Sequence, residues 1–348
     1  MPSTSGSAPG YHAWVKRLFR TPEVLVLGEV LCDLFAPRPG TFLSQADCFV
    51  PHPGGAPANV AVQLARLGVT VGLLSAVGAD PLGERLIRGL ADEGVDVSNV
   101  HVRTHYRTGL TLVEVDGDGE RRFFGFRENS ADLSFNIRDI DHQRVRRAAI
   151  VHTGTVSLRR PASRAATHAF IAAGRLAGAI VSLDVNLRYG MFPSRALLLR
   201  LARAAIPRAD VVKATRQEAL DLLQATPRTS NTTLVHRLLE RGPSLVLLTL
   251  DDDGAVLASR VAQVEVPARR CRVVDSTGAG DAFVGAALAR LIAGGINATS
   301  LPGLGKDVLT DVGREACRAG GAAITAVGAT TAMVRAFAHP VRRNRRTG

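Results

Sequence analysis

From about residue 21, short apolar runs alternate along the chain with longer stretches in which apolar residues recur with the period of a helix. The segment EVLVLGE (23–29) is an apolar run closed by Gly28, which predicts a buried strand. Residues 55–68 predict a helix ending at Gly68, TVGLLSAVG (70–78) predicts a second strand, and residues 81–94 predict another helix. This β-α-β-α order predicts a parallel sheet covered by helices.

Two segments interrupt this order. Residues 31–53 are irregular and contain four prolines. Residues 101–126 alternate around a D-G-D-G turn, which is typical of an antiparallel hairpin with one solvated face. We therefore predict a small flap, built from about residues 31–53 and 101–127, beside the main sheet. A plain edge hairpin is the alternative.

The alternation resumes after Ser130, where four apolar runs predict further buried strands: AAIVHTG, AIVSLDV, ADVVKAT and SLVLLTL. No internal repeat or linker divides the chain. We predict one doubly wound α/β domain over residues 22–334, a disordered N-terminal extension (1–21) and a basic C-terminal tail (335–348).

Composition narrows the class of protein. The chain has 348 residues, 46% of them hydrophobic and 21% charged, which is typical of a globular protein. No apolar stretch is long enough to span a membrane. The four cysteines are far apart and form no zinc or disulfide pattern, which favours a reducing cytoplasm. The first 22 residues lack acids, so an organelle transit peptide is an alternative to a disordered extension.

The net charge of +12 comes almost entirely from arginine, because only three of the 43 basic residues are lysine. Such a charge is compatible with a nucleic-acid partner. It is equally compatible with an arginine-rich lineage and an anionic nucleotide ligand, which is the interpretation we favour.

The segment VVDSTGAGDAFVGAALARL (273–291) carries the main candidate chemistry. Gly278, Ala279 and Gly280 precede an apolar helix, so free backbone N–H groups at its start favour an anion. Asp281 at this place suits a general base beside a phosphoryl group. The alternative is that Asp281 only caps the helix.

No P-loop and no G-x-G-x-x-G motif at the first strand is present, so ATP would have to bind by another route. Earlier in the chain, Gly54 and Gly55 precede a helix that carries Asn59. An amide that both donates and accepts suits a sugar hydroxyl, and adjacent glycines let a ligand approach the backbone. The alternative is an ordinary turn with Asn59 as a cap.

The pair GGAPANVA and DSTGAGDAF resembles the two signatures of the PfkB (ribokinase-like) carbohydrate kinases, in the same order, and the resemblance runs from about Val24 to Met333. It implies a three-layer αβα sandwich with a mostly parallel sheet and a small β flap. Within the family, the chain most resembles fructokinases in GEVLCDLFAP, VGADPLGERL, DGDGERRFFGFRENSADL, HTGTVSL and SLDVNLRYGMF.

The resemblance also implies roles for individual residues. Asp281 would be the base, and the loop of Gly278, Ala279 and Gly280 would bind the transferring phosphoryl group of ATP. Sugar contacts would come from Asp33, Gly54, Gly55, Asn59, Arg127 and Arg188. Nucleotide contacts would come from Lys213, Glu218, Thr249, Asp251, Gly254 and Cys317. Mg²⁺ would lie near Glu218 through water, and K⁺ near Asp275 and Thr277.

Four positions depart from the family pattern. Thr215 replaces Asn in N-x-x-E, Asp251 replaces the first Gly of T-x-G-x-x-G, Cys317 replaces an Asn and Val185 replaces a Pro. An acidic Asp251 would repel ATP phosphates unless its side chain turns outward.

The function expected from the resemblance is ATP-dependent phosphorylation of a sugar, with fructose as the acceptor. A 2-keto-3-deoxygluconate kinase is the alternative within the family, because Arg127 and Arg188 could bind a carboxylate bidentately. The alternative from another class of function is a kinase-like scaffold in a nucleic-acid complex. The intact loop around Asp281 favours a kinase over such a scaffold, so a nucleic-acid partner is not expected. The alternating face of residues 108–115 could form a homodimer through the flap.

Overall fold

The computed structural model describes residues 22–36, 40–115 and 121–338, so the predicted N-terminal extension, the D-G-D-G turn and most of the predicted tail lie outside the described residues. Thirteen strands lie within this part of the chain: β1 (Val24–Leu27), β2 (Leu31–Phe35), β3 (Val50–Gly54), β4 (Val71–Gly78), β5 (Val100–Arg103), β6 (Gly109–Val115), β7 (Arg121–Phe126), β8 (Ile150–Gly154), β9 (Ile180–Asp184), β10 (Val211–Thr215), β11 (Leu245–Thr249), β12 (Ala255–Ser259) and β13 (Gln263–Val266).

The same ranges contain nine α-helices: α1 (Ala56–Arg66), α2 (Pro81–Asp92), α3 (His142–Val145), α4 (Pro161–Leu176), α5 (Arg195–Ala205), α6 (Arg216–Leu223), α7 (Asn231–Leu239), α8 (Ala279–Ala293) and α9 (Lys306–Ala323). Several begin where the sequence supplies a cap or a proline. Pro81 opens α2 after Asp80, whose side chain accepts a hydrogen bond from the Gly83 backbone N–H.

The main sheet has nine strands in the order β13-β12-β11-β10-β9-β8-β1-β4-β5. The seven strands β11, β10, β9, β8, β1, β4 and β5, which are consecutive in the sheet, are parallel to one another. Strand β12 pairs antiparallel with both of its neighbours. The sheet is therefore mostly parallel, as the β-α-β-α pattern predicts.

Each face of the main sheet is covered by its own apolar layer. Along β1, Val24 and Val26 pack into the layer with α1, α2, α8 and α9, whereas Leu25 and Leu27 pack into the layer with α4, α5, α6 and α7. Successive strand residues point to opposite faces, so a strand covered on both sides must be apolar throughout. This explains the uninterrupted apolar runs of the sequence.

A second, four-stranded sheet in the order β3-β2-β6-β7 forms the small flap. Two details differ from the sequence prediction. Residues 31–53, predicted as irregular, contain β2 and β3, and the two prolines of β3 are tolerated because β3 is an edge strand. Residues 101–103, assigned by the pattern to the hairpin, instead belong to β5 at the edge of the main sheet.

The carboxyl ends of the parallel strands lie at one edge of the main sheet, where open α/β sheets place their ligands. Strands β9, β10 and β11 end there at Asp184, Thr215 and Thr249. Among the described residues, no helix has the length and apolarity needed to cross a bilayer.

Candidate active site

The turn before α8 has a backbone that only glycine accommodates well. Gly278 is the N-cap of α8 at φ +80°, and a Cβ there would lie 2.9 Å from the Cα of Ala329. Helix α8 begins at Ala279, so the N–H groups of its first turn have no partner within the helix. Their direction and the helix dipole make this turn a site for an anion.

Asp281 lies in that first turn and is buried, with 9% of its surface exposed. Its Oδ2 accepts a hydrogen bond of 2.8 Å from Nδ2 of Asn59 on α1. Burial raises the pKa of Asp281 to about 6, although the bond from Asn59 favours the ionised form. Asp281 makes no side-chain cap and Gly55 is the N-cap of α1, so both capping alternatives of the sequence analysis are wrong.

Lys213 brings a positive charge next to the same turn. Its Nζ lies 3.2 Å from Oδ1 of Asp184, and a Cβ on Gly280 would lie 2.9 Å from that Nζ. Burial disfavours the charged form, but the carboxylates of Asp184 and Glu218 outweigh it and raise the pKa of Lys213. The ammonium is therefore held charged beside the turn that would receive a phosphoryl group.

The predicted sugar contacts come together between β2, β3 and α1. Asp33 on β2 is 7% exposed and faces Gly54, where any Cβ would collide with Oδ2 of Asp33. Burial raises the pKa of Asp33 to about 7, and the charges of Arg127 and Arg188 act in the opposite direction. Gly55 has φ +105°, which a side chain would strain.

The two predicted arginines have different partners. Arg188 lies over the ring of Phe123 on β7, with 5.9 Å from its Cζ to the ring centroid. Arg127 follows β7 and forms a buried ion pair with Asp132. Both guanidinium groups therefore lie where the flap meets the main domain.

Two carboxylates of this region were given no role by the sequence analysis. Glu29 follows β1 at the carboxyl edge of the sheet, and burial raises its pKa to about 7. Asp132 is fully buried. The position of Glu29 directly after a buried strand was the available signal, whereas the pairing of Asp132 depends on tertiary contacts.

On the nucleotide side, Thr215 and Glu218 form a capping box at the start of α6. Oε2 of Glu218 accepts a hydrogen bond of 2.8 Å from the N–H of Thr215, and Oε1 accepts one of 2.7 Å from the N–H of Leu187. The Thr215 hydroxyl in turn accepts a hydrogen bond of 3.2 Å from the backbone N–H of Glu218, so two backbone N–H groups hold the Glu218 carboxylate, which keeps lone pairs for water.

No group of three metal-ligating side chains occurs in the described ranges. Mg²⁺ usually takes one or two carboxylates together with phosphate oxygens and water. Glu218, beside the positive Lys213, fits that role.

Asp251 lies in a short turn, Asp251–Asp253, after β11 and is exposed. It has φ +51° and lines an open cleft with Arg216 and Arg228. The carboxylate is thus turned outward, the arrangement that limits repulsion of phosphate. The following Gly254 has φ +97°, and a Cβ there would overlap the carbonyl of Val266.

Cys317 is buried on α9, with Sγ 3.9 Å from the carbonyl oxygen of Val266. It packs in an apolar layer of the domain, one helical turn before Gly320, whose added Cβ would lie 3.2 Å from the carbonyl oxygen of Ala279. Burial raises the pKa of the Cys317 thiol to about 11, so the thiol is neutral and supplies no charge to a nucleotide.

Asp275 organises the loop that precedes α8. Its Oδ1 accepts hydrogen bonds from the N–H and hydroxyl of Thr277, at 2.9 and 2.6 Å, and its Oδ2 accepts one of 2.7 Å from the N–H of Gly328. The carboxylate and hydroxyl assigned to a K⁺ site are therefore adjacent. They also tie the loop before α8 to the segment after α9.

Comparison with known proteins shows which family the chain resembles. The family model for pfkB family carbohydrate kinases matches residues 21–335. Fructokinase-1 from rice (Oryza sativa subsp. japonica) is 36% identical over 273 residues, which cover 78% of this chain and 84% of the relative. Fructokinase from Salmonella typhimurium is 35% identical over 274 residues, covering 79% and 86%.

Solved structures give the same result. Fructokinase from Xylella fastidiosa with bound ATP superposes with a TM-score of 0.81 at 32% identity, covering 89% of this chain and 94% of that one. Fructokinase from Vibrio cholerae O395, bound to fructose, ADP and calcium, gives a TM-score of 0.77 at 31% identity, covering 90% and 96%. These matches confirm the predicted ribokinase-like fold, and the chain belongs to the pfkB family of carbohydrate kinases.

Proposed function

We propose that this protein is an ATP-dependent kinase that transfers the γ-phosphoryl group of ATP to fructose and forms fructose 6-phosphate. The observation that carries the proposal is the buried Asp281 at the anion-binding turn, oriented by Asn59 from the helix that follows Gly54 and Gly55. A base, an anion site and a glycine-lined sugar pocket meet at one point. The named relatives and neighbours, which are fructokinases, support fructose as the acceptor.

In the proposed reaction, Asp281 removes the proton from the 6-hydroxyl as that oxygen attacks the γ-phosphorus. The new P–O bond forms as the bond to the β,γ-bridging oxygen breaks, and ADP leaves. With a pKa of about 6, Asp281 is mostly ionised at pH 7 and can return the proton to water afterwards. Backbone N–H groups of Ala279, Gly280 and Asp281 stabilise the charge on the transferring group.

Asn59 has a positioning role in this scheme. Its Nδ2 donates to Oδ2 of Asp281 and so holds the carboxylate in one orientation. The remaining Oδ1 is then the atom that faces the acceptor hydroxyl. A carboxylate held in one orientation stays in the geometry that proton transfer requires.

The nucleotide would be held by Lys213, Thr249 and Gly254, with Asp251 and Cys317 at the margins of its site. Mg²⁺, placed by Glu218 through water, would neutralise phosphate charge, and Asp275 with Thr277 would hold K⁺ behind the anion-binding turn. Lys213 adds a fixed positive charge to the same region, because Asp184 keeps its ammonium ionised.

The test is release of ADP from Mg-ATP and K⁺ by the purified full chain, against fructose, ribose, 2-keto-3-deoxygluconate and adenosine. We expect turnover with fructose, and ³¹P NMR should place the product phosphate on the 6-oxygen. Turnover with another acceptor but not with fructose would contradict the proposed substrate. Absence of turnover with every acceptor, in folded protein, would contradict the proposed activity.

We also propose that the protein forms a homodimer through the outer face of the flap. Leu34, Leu112 and Phe124 are neighbours in strand register, on the face opposite Asp33. Phe124 is 48% exposed, and the other two are half-buried. This row of apolar side chains suits a second copy of the chain.

Sedimentation velocity would test the dimer. We expect a dimer for the wild type and a monomer for Phe124→Glu, with Val261→Glu as the control because Val261 is exposed between β12 and β13, away from the flap. A wild-type monomer at micromolar concentration would contradict the proposal.

We place the protein in the cytoplasm. All four cysteines lie within the described residues and are free thiols. Free thiols persist where the environment is reducing.

A further inference from the structure

The guanidinium of Arg127 is occupied by groups of the protein itself. Nη2 donates to Oδ2 of Asp132, and Nη1 donates to Sδ of Met191 at 3.0 Å. Arg127 is 6% exposed, and its buried Nε has no hydrogen-bond partner in the described part of the chain. A ligand carboxylate that sought the usual bidentate contact would have to displace Asp132.

The fold makes room for Asp132 at this place. The residue lies in a short helical turn, Ala131–Leu133, and its side chain is fully buried. A Cβ on Gly109, at the start of β6, would lie 2.8 Å from Oδ1 of Asp132. Because a buried ion pair usually costs about as much in desolvation as it returns, stability alone does not account for Asp132.

Further carboxylates surround the same arginine. Glu29 is 5% exposed and Asp33 is 7% exposed, and the charge of Arg127 lowers the pKa of both, against the larger effect of burial. Oε2 of Glu29 and Oδ1 of Asp132 are buried without hydrogen-bond partners among the described residues. Negative charge on these groups would repel an anion, whereas an uncharged hydroxyl group meets no such repulsion.

We propose that Asp132 is a specificity-determining residue: it withholds Arg127 from substrate carboxylates and so restricts the acceptor to uncharged sugars. This inference rests on the proposed function, since it concerns the acceptor pocket of the same kinase. The two arginines alone are compatible with either fructose or 2-keto-3-deoxygluconate as the acceptor, and the proposed role of Asp132 favours fructose. The neutral sugar offers only hydroxyl and carbonyl groups to the carboxylates, while the acid must place a negative charge among them.

The test compares Asp132→Asn with the wild type. The amide keeps the shape and one acceptor oxygen but removes the charge, which frees Arg127. We expect the ratio of kcat/KM for 2-keto-3-deoxygluconate to kcat/KM for fructose to rise about tenfold or more, since one pKa unit of differential interaction is a factor of ten. Glu128→Gln is the matched control, because Glu128 is exposed on the same segment, and we expect no change in the ratio.

Binding without ATP gives an independent measurement on the wild type. Titration calorimetry would compare D-gluconate with D-glucitol, which differ only in a carboxylate against a hydroxymethyl group. We expect D-glucitol to bind about tenfold tighter, and this result does not depend on whether Asp132→Asn folds. Equal or tighter binding of D-gluconate would overturn the inference.

An unchanged acid-to-fructose ratio in a folded Asp132→Asn variant would also overturn the inference. Failure of the wild type to phosphorylate any sugar would instead refute the proposed function. In that case the calorimetric comparison still decides whether the pocket rejects acids.

Discussion

Two carboxylates on the proposed sugar side of the site, Glu29 and Asp132, are partnered differently from two on the proposed nucleotide side, Glu218 and Asp275. Glu29 and Asp132 each bury an oxygen without a hydrogen-bond partner in the described ranges. Glu218 and Asp275, by contrast, accept two or more hydrogen bonds from nearby groups. Glu218 and Asp275 therefore fix the loops around them, whereas Glu29 and Asp132 each keep an acceptor oxygen that no described protein group uses.

This difference has an energetic consequence. Burial raises the pKa of Glu29 and Asp33 to about 7, which shows that ionising them in the fold is unfavourable. A bound sugar that donates hydrogen bonds to the ionised oxygens offsets this cost. The buried carboxylates Glu29 and Asp33 thus lower the free energy of unfolding of the protein, as is common where function and stability compete.

Of the substitutions that compare the two sides, Lys213→Met on the proposed nucleotide side should have the largest effect on substrate binding. Removing the ammonium that we place beside the phosphates should raise the KM for ATP tenfold to about a hundredfold, the range for hydrogen bonds to charged groups. The KM for fructose should change little. The variant should be made together with Asp184→Asn, because a buried carboxylate without its partner destabilises the fold.

Lys306→Met is the matched control, since Lys306 is an exposed lysine at the start of α9. Steady-state kinetics with each substrate varied in turn would measure both KM values. A rise confined to the KM for fructose would contradict the assignment of Lys213 to the nucleotide side.

Asp33→Asn should change binding and stability in opposite directions. The KM for fructose should rise about tenfold, because the amide is a weaker acceptor. The folded pKa of about 7 lies above the ordinary 3.8, so the native state binds more protons between these values and loses stability as pH rises through them. At pH 8 the variant should therefore be more stable than the wild type by about 4 kcal/mol, because the two pKa values differ by about 3 units at 1.36 kcal/mol per unit.

Urea unfolding at pH 5 and pH 8 would measure this effect, with Asp47→Asn as the control, because Asp47 is exposed in the same flap region. The stability gain of Asp33→Asn should grow with pH, and that of Asp47→Asn should not. A gain that shrinks between pH 5 and pH 8 would show that Asp33 is stabilised in its ionised form.

The smallest effect is expected from Asp251→Gly. Asp251 has φ +51°, a conformation that costs a non-glycine residue about 1 kcal/mol. Glycine should relieve this strain and stabilise the fold by about 1 kcal/mol, and the KM for ATP should change little because the Asp251 carboxylate is exposed and turned outward. Asp252→Gly, at an exposed position with no positive φ, should give no gain in stability in the same unfolding and kinetic measurements.

The parts of the candidate site that are local in the chain were predictable from the sequence. Residues 278–281 form a turn and a helix start whose geometry is set by neighbouring residues, so their arrangement followed from the pattern. The strands of the main sheet were predictable for the same reason, since each is a continuous apolar run. Asp184 and Lys213 are paired because β9 and β10 are adjacent in register, which the order of elements indicates only after the sheet is known.

The parts that sequence analysis missed depend on contacts between distant segments. Strands β2 and β3 form in a proline-rich stretch because β6 and each other supply their hydrogen bonds. In the sequence, Glu29 is an acidic residue at the end of a strand and Asp132 is one in a loop, and neither position indicates a buried carboxylate. Their burial beside Arg127 exists only once the flap has packed against the main sheet.

The most direct test of the account is the comparison of Asp281→Asn with Asp307→Asn under saturating Mg-ATP and fructose. Both residues lie in the first turn of a helix, but Asp281 is buried at the anion-binding turn and Asp307 is exposed. We predict that Asp281→Asn lowers kcat by about 10²–10⁴, the usual contribution of a general base, with little change in either KM, and that Asp307→Asn leaves kcat unchanged. A folded Asp281→Asn enzyme with wild-type kcat would contradict the assignment of Asp281 as the base.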